Sequence, residues 1–250
     1  MTGRLIAASL GPGDPGLITR AAWAALTATD CWAWPINQEG ASYALAIVER
    51  AGLSAPAGGL ALYFPMTRDP EALARSWAEA AVQVAARLHA DEDVVFLVEG
   101  DASTYSTFGH LARAVRALDS RLAVRIIPGV SSFNAAAAAI GQALADGEEP
   151  LAVYAAPEAM RDLDALLTNF DALVLLKVRP VLDALIEVLD ARGLLDGAVF
   201  IERVGTPDER IVRDLSTLRG ERVHYLSLVL IRQDRARGLG QARAVDPCTS

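Results

Sequence analysis

Two acidic corners, far apart in the chain, hold the groups best suited to chemistry: Gly11-Pro12-Gly13-Asp14-Pro15 and Gly100-Asp101-Ala102-Ser103-Thr104-Tyr105-Ser106-Thr107. Each follows a short apolar run and precedes a helical pattern. That places each at the carboxyl edge of a parallel sheet, where open α/β folds gather ligands. Aspartates at such an edge favour a cationic ligand over a phosphate. The first corner also spells the dinucleotide fingerprint G-x-G-x-x-G, so a nicotinamide oxidoreductase is a rival reading. That fingerprint works by aiming backbone N–H groups at a pyrophosphate. Pro12 and Pro15 have no N–H to offer, and Asp14 would repel the phosphates.

In the second corner, Gly100 permits close approach of a ligand to the backbone, and Asp101 projects from the strand end. Thr104, Ser106 and Thr107 crowd hydroxyls into the next turn beside Tyr105. Two readings stand on these residues: a ligand site, or an N-cap cluster for the helix that starts at Phe108. A third corner, Pro128-Gly129-Val130-Ser131-Ser132, runs into an alanine-rich helix. Capping by its serines is the favoured reading, while uncapped N–H groups there would suit a ligand carboxylate.

The elements that must position these corners read as alternating strands and helices. Strands are expected at 5–10, 31–36, 60–64, 94–98 and 124–127, and helices at 19–27, 42–51, 71–90 and 108–118. In the long third helix Trp77, Ala81, Val84 and Leu88 form one buried stripe. This alternation predicts a parallel α/β sheet. Beyond a boundary near Pro128, strands at 151–154, 173–178, 198–203, 210–214 and 225–231 surround a helix at 180–192. The last three strands are closely spaced, so antiparallel pairing is expected. The domains are therefore 1–128 and 129–232, with 233–250 as a loose polar tail.

Bulk composition limits the function. The chain has 250 residues, 52% hydrophobic and 22% charged, which is globular rather than disordered. A net charge of −8 argues against a nucleic-acid partner. Of the 23 basic residues all but Lys177 are arginine, the residue suited to gripping carboxylates. Cys31 and Cys248 make no disulfide framework, and His89, His110 and His224 show no ligand spacing, so no metal is expected. The apolar run after Arg4 is too short for a signal peptide, and no segment approaches a membrane span. A soluble cytoplasmic protein is the expectation.

Taken in order, the three corners resemble the tetrapyrrole methylase superfamily, enzymes that use S-adenosyl-L-methionine. The carrying segments are Gly11–Leu17 (GPGDPGL), Phe64–Thr67 (FPMT), Val98–His110 (VEGDASTYSTFGH), Pro128–Ala137 (PGVSSFNAAA), Leu175–Val178 (LLKV) and Tyr225–Leu230 (YLSLVL). The FPMT and YSTF segments favour the branch that methylates C-20 of precorrin-2 or cobalt-precorrin-2 in cobalamin biosynthesis. The resemblance implies an α/β fold of two domains, a parallel-sheet N-terminal one and a mixed-sheet C-terminal one, with the active-site cleft between them, and a homodimer. It implies that Leu10, Gly100, Asp101, Thr104, Ser131 and Ser132 line the cofactor, joined by Leu176, Gly205 and Thr206 from the second domain. Asp14 would face the tetrapyrrole.

The sulfonium methyl group is already electrophilic, so the protein must align it with a nucleophilic carbon about 3 Å away and exclude water. A carboxylate would offset charge developing on the ring and accept a proton. Asp101 is the first choice for that role, with Tyr105 and Asp14 behind it. One departure stands out: the second corner usually reads Gly-Asp-Pro, and Ala102 replaces the proline, which predicts a less rigid turn. Glu99 is given no role. Arg20, Arg68 and Arg113 are candidates for the ring carboxylates, with surface solvation the favoured account of each, and Trp32 and Trp34 for one face of the macrocycle, which core filling explains equally well. Methylation of another ring position and a non-catalytic tetrapyrrole carrier are the remaining alternatives.

Overall fold

The computed structural model describes residues 2–67 and 69–233, so Arg68 and all of the expected tail beyond Gln233 lie outside the described residues. The chain divides into two units: one up to Gly141 together with Arg203–Arg210, the other Gln142–Glu202 with Ile211 onward.

The first unit holds β1 (Arg4–Ser9), α1 (Arg20–Thr27), β2 (Trp32–Ile36), α2 (Tyr43–Arg50), β3 (Leu60–Tyr63), α3 (Pro70–His89), β4 (Val94–Val98), α4 (Phe108–Leu118), β5 (Ala123–Ile127) and α5 (Ser132–Ile140). Its five strands run in the order β3-β2-β4-β1-β5, and every pair is parallel. Side chains alternate across the sheet, as strand geometry requires. Leu5, Ala7, Val94, Phe96 and Val98 join the layer under α3 and α4. Ile6, Ala8, Val95 and Leu97 join the layer under α1 and α2. Strands buried on both faces explain the unbroken apolar runs.

Helix starts follow their capping residues. Thr19 accepts from the N–H of Ala22, Ser42 from Leu45, and Asp69, ahead of Pro70, from Glu71. In α3, Ala81, Val84 and Leu88 are fully buried as the stripe predicts. Trp77 is only half-buried and stacks on His110 of α4, centroids 4.0 Å apart. Trp32 is a core residue whose indole N–H donates to the Leu26 carbonyl at 3.0 Å.

The second unit holds β6 (Leu151–Ala155), α6 (Ala156–Ala159), α7 (Leu163–Asn169), β7 (Ala172–Leu176), α8 (Leu182–Ala191), β8 (Ala198–Glu202), β9 (Arg210–Val212) and β10 (Ser227–Arg232). The strand order is β6-β7-β10-β8-β9. The β6–β7 pair is parallel, and β10 runs antiparallel to both its neighbours, which makes the sheet mixed. Both α6 and α7 were invisible in the sequence pattern because neither is long enough to establish a period.

The units divide after Gly141, not after Pro128 as the sequence suggested. The segment beyond β5 is held to the first unit by the Gly129 N–H, which donates to Asp101 at 2.8 Å.

Candidate active site

Strand order decides which corners meet. β1 lies between β4 and β5, so the loops after all three emerge side by side on one edge. The Leu10 N–H donates to the Val98 carbonyl at 2.9 Å, extending the β1–β4 pairing by one residue. Gly11 and Gly100 then form an isolated bridge, each N–H donating to the other's carbonyl, at 3.2 and 2.8 Å. Both glycines are in the left-handed region, with φ of 77° and 74°. A Cβ at Gly100 would meet nothing within 4 Å, so this backbone faces open space.

Asp101 is the junction of the second and third corners. One carboxylate oxygen accepts from the Ser103 N–H at 2.9 Å and from the Ser103 hydroxyl. The other accepts from the Gly129 N–H. The residue is 8% exposed. Burial works to raise its pKa, but the donors from Ser103 and Gly129 together outweigh it, and the carboxyl is held below the ordinary carboxylate value. Gly129 permits this approach, since a Cβ there would lie 2.5 Å from the Ser9 Cβ and 2.9 Å from the Gly100 carbonyl oxygen.

Ser9, fully buried at the end of β1, accepts from the Ala102 N–H at 2.9 Å. A proline at 102 would have no N–H to give. The departure from Gly-Asp-Pro therefore ties the turn to β1 instead of loosening it.

The hydroxyls of the second corner divide between the two readings. Ser103 serves Asp101, and Ser106 accepts from the Phe108 N–H at 3.1 Å as a helix cap. The Thr104 N–H donates to the Asp101 carbonyl at 3.2 Å, closing the turn. Tyr105 is half exposed, with an uncommon φ of 50°. At the third corner, Ser131 stands at the N-cap of α5 with no side-chain hydrogen bond to the helix. The capping reading of that corner is thus not met, and Ser131 and Ser132 lie half-buried at a helix start.

In the first corner, Asp14 is exposed and accepts from the Gly16 N–H at 2.7 Å, while Arg50 of α2 donates to the Gly13 carbonyl at 2.6 Å. The Gly205–Thr206 turn packs on this loop: a Cβ on Gly13 would meet Thr206 Cγ2 at 2.7 Å, and one on Gly205 would meet the Asp14 nitrogen at 2.8 Å. Two of the amides that a dinucleotide loop would need, at Gly11 and Gly16, are already engaged inside the protein. Leu176 ends β7 in the second unit. Arg113 is turned to the His110 ring, 2.9 Å away.

Sequence reasoning passed over Ser9 and Glu99. Ser9 signalled itself only as a polar residue closing an apolar strand. Glu99 is a half-buried carboxylate one residue beyond β4. It makes no hydrogen bond or ion pair among the described residues, and burial pushes its carboxyl up to about 7. A charge placed directly after five buried apolar residues was the signal available.

Comparison with known proteins places this geometry in a family. The profile of the tetrapyrrole (corrin/porphyrin) methylases matches residues 4–218. A precorrin-2 C(20)-methyltransferase from a Sinorhizobium species is 33% identical over 92% of this chain and 95% of its own. A cobalt-precorrin-2 C(20)-methyltransferase from Salmonella typhimurium is 33% identical over 93% of this chain and 98% of its own. The cobalamin biosynthesis protein CobIJ of Mycobacterium bovis is 32% identical over 95% of this chain, which spans only 47% of that relative's length. Among solved structures, uroporphyrin-III C-methyl transferase from Thermus thermophilus complexed with S-adenyl homocysteine shares the fold with a TM-score of 0.61 and 21% identity. The match covers 92% of this chain and 98% of that one.

Proposed function

The chain belongs to the tetrapyrrole methylase family, and we propose from that premise that it transfers the methyl group of S-adenosyl-L-methionine to C-20 of precorrin-2 or cobalt-precorrin-2, in the cytoplasm and as a homodimer. The structural observation that carries the reading is the junction of three corners through Asp101 and the Gly11–Gly100 bridge. Two near-full-length relatives named for C-20 methylation support the ring position.

The residues present fit the cofactor. Gly100 turns bare backbone toward open space, and α5 begins without a side-chain cap, so its first N–H groups can receive a carboxylate. Leu10, Gly100, Thr104, Ser131 and Ser132 are assigned to the cofactor, with Leu176, Gly205 and Thr206 completing the set. Bound there, S-adenosylmethionine supplies an electrophilic methyl group. The chain's task is to hold the nucleophilic ring carbon in line with it and keep water away.

The role of Asp101 changes on this geometry. With three donors already on its carboxylate, it positions the loops rather than accepting a proton. Asp14 and Tyr105 are assigned to the tetrapyrrole. The experiment is to incubate the protein with precorrin-2 and methyl-labelled S-adenosylmethionine and locate the new methyl by NMR. Label at C-20 is the expected result; label at another ring carbon, or none, overturns the assignment.

A further inference from the structure

We propose that the Glu99 carboxylate accepts the proton that C-20 must lose, which makes it a catalytic residue of the methyl transfer; this rests on the functional reading above. Its place in the sheet is the first argument. Val94, Phe96 and Val98 face one layer, while Val95 and Leu97 face the other. Glu99 is the next position after Val95 and Leu97 in that order, at a bend just beyond the end of β4 on the carboxyl edge. There it stands between Val98, whose carbonyl accepts from the Leu10 N–H, and Gly100, which bridges Gly11.

Isolation is the second argument. The titratable groups on the elements packed over this face are Arg20 of α1, Tyr43, Glu49 and Arg50 of α2, and Asp14 of the loop after β1. Asp101 and Tyr105 follow on its own loop. None of them pairs with Glu99, and Arg50 is engaged by the Gly13 carbonyl. No protein donor offsets the desolvation of this half-buried carboxylate. Burial alone moves it to about 7, a value suited to proton transfer at neutral pH.

The step balances. The electron pair at C-20 forms the new bond to the methyl carbon as the carbon–sulfur bond breaks, and the electrons of that bond go to sulfur. The C–H bond at C-20 then returns its electrons to the ring, and its proton moves to a Glu99 Oε. S-adenosylhomocysteine and the methylated ring leave, and Glu99 releases its proton to solvent.

The test compares wild type, Glu99→Gln and Glu99→Asp by single-turnover methyl transfer to precorrin-2 across neutral pH, with S-adenosylhomocysteine affinity measured by calorimetry on the same samples. The expected Glu99→Gln loss is about 10²–10³-fold in rate, in the range of general-base catalysis. Its cofactor-product affinity should stay within about twofold, because the proposal gives this side chain the ring proton and no group of the cofactor. Glu99→Asp should recover part of the rate. The wild-type rate should rise with an apparent pKa near 7, and that rise should vanish in Glu99→Gln. An unchanged rate and pH profile in Glu99→Gln, beside an active wild type, overturns the Glu99 role alone. A wild type that cannot methylate C-20 overturns the functional reading and this role with it.

Discussion

The turn at Asp101 and the strand end at Glu99 lie two residues apart on the same sheet edge and treat a carboxylate in opposite ways. Asp101 receives two backbone N–H groups and a hydroxyl, and its carboxyl is held low. Glu99 receives nothing, and burial holds its carboxyl high. Burial alone does not set the outcome; the donors do. A carboxylate whose donors are all internal builds a site, and one left without donors can exchange a proton. The comparison therefore assigns architecture to Asp101 and chemistry to Glu99.

Asp101→Asn should have the largest effect on stability. The amide would turn an N–H toward the donors of Ser103 or Gly129, at a cost of about 2–4 kcal/mol for charged-group bonds lost and a buried donor left unpaired. The depressed pKa fixes the sign of the pH dependence. Asp101 stabilises the fold above its unfolded-state pKa, and that contribution is lost as pH falls through the folded one. Denaturation of wild type and Asp101→Asn should therefore converge in acid; a constant gap would break the comparison.

Gly129→Ala tests the same junction from the other side. Its new Cβ would collide with Ser9 and the Gly100 carbonyl, and overpacking of that kind costs about 1–3 kcal/mol in denaturant melts. A loss of cofactor-product affinity should accompany it.

Glu99→Gln should move stability the other way. With the folded pKa raised from 4.5 to about 7, ionisation of Glu99 is a penalty that grows as pH rises through that window. The variant should gain about 1–3 kcal/mol above neutrality, less than the full shift because the side chain is partly solvated. The gain should fade toward pH 4.5. A variant no more stable than wild type at alkaline pH would contradict the isolation of Glu99.

Ala102→Pro carries the smallest expected effect. It removes the N–H that Ser9 accepts, a loss of about 1 kcal/mol, partly offset by the stiffer unfolded chain. In a Ser9→Ala background the loss should disappear, which a double-mutant cycle reads directly.

The three corners were legible because buried apolar runs ending in glycine and proline signal strand ends without any tertiary information. The parallel first sheet followed from alternation of strands and helices, and antiparallel pairing in the second from the close spacing of its last three strands. Tertiary facts were not legible. Whether Ser131 caps its own helix depends on where its hydroxyl turns, and the boundary at Gly141 depends on which unit the segment after β5 packs with. Glu99 was missed for a related reason: a carboxylate's partners are written in the fold, and a lone glutamate after a strand looks the same with or without them. Ala102 misled because only the structure shows that its N–H has a partner in Ser9.

The most direct test of this division of labour is calorimetric titration of S-adenosylhomocysteine into wild type, Asp101→Asn and Glu99→Gln side by side. The account predicts binding by wild type and Glu99→Gln alike, and at least about tenfold weaker binding by Asp101→Asn, the scale of one lost charged-group contact. Full affinity in Asp101→Asn, or its loss in Glu99→Gln, would contradict it.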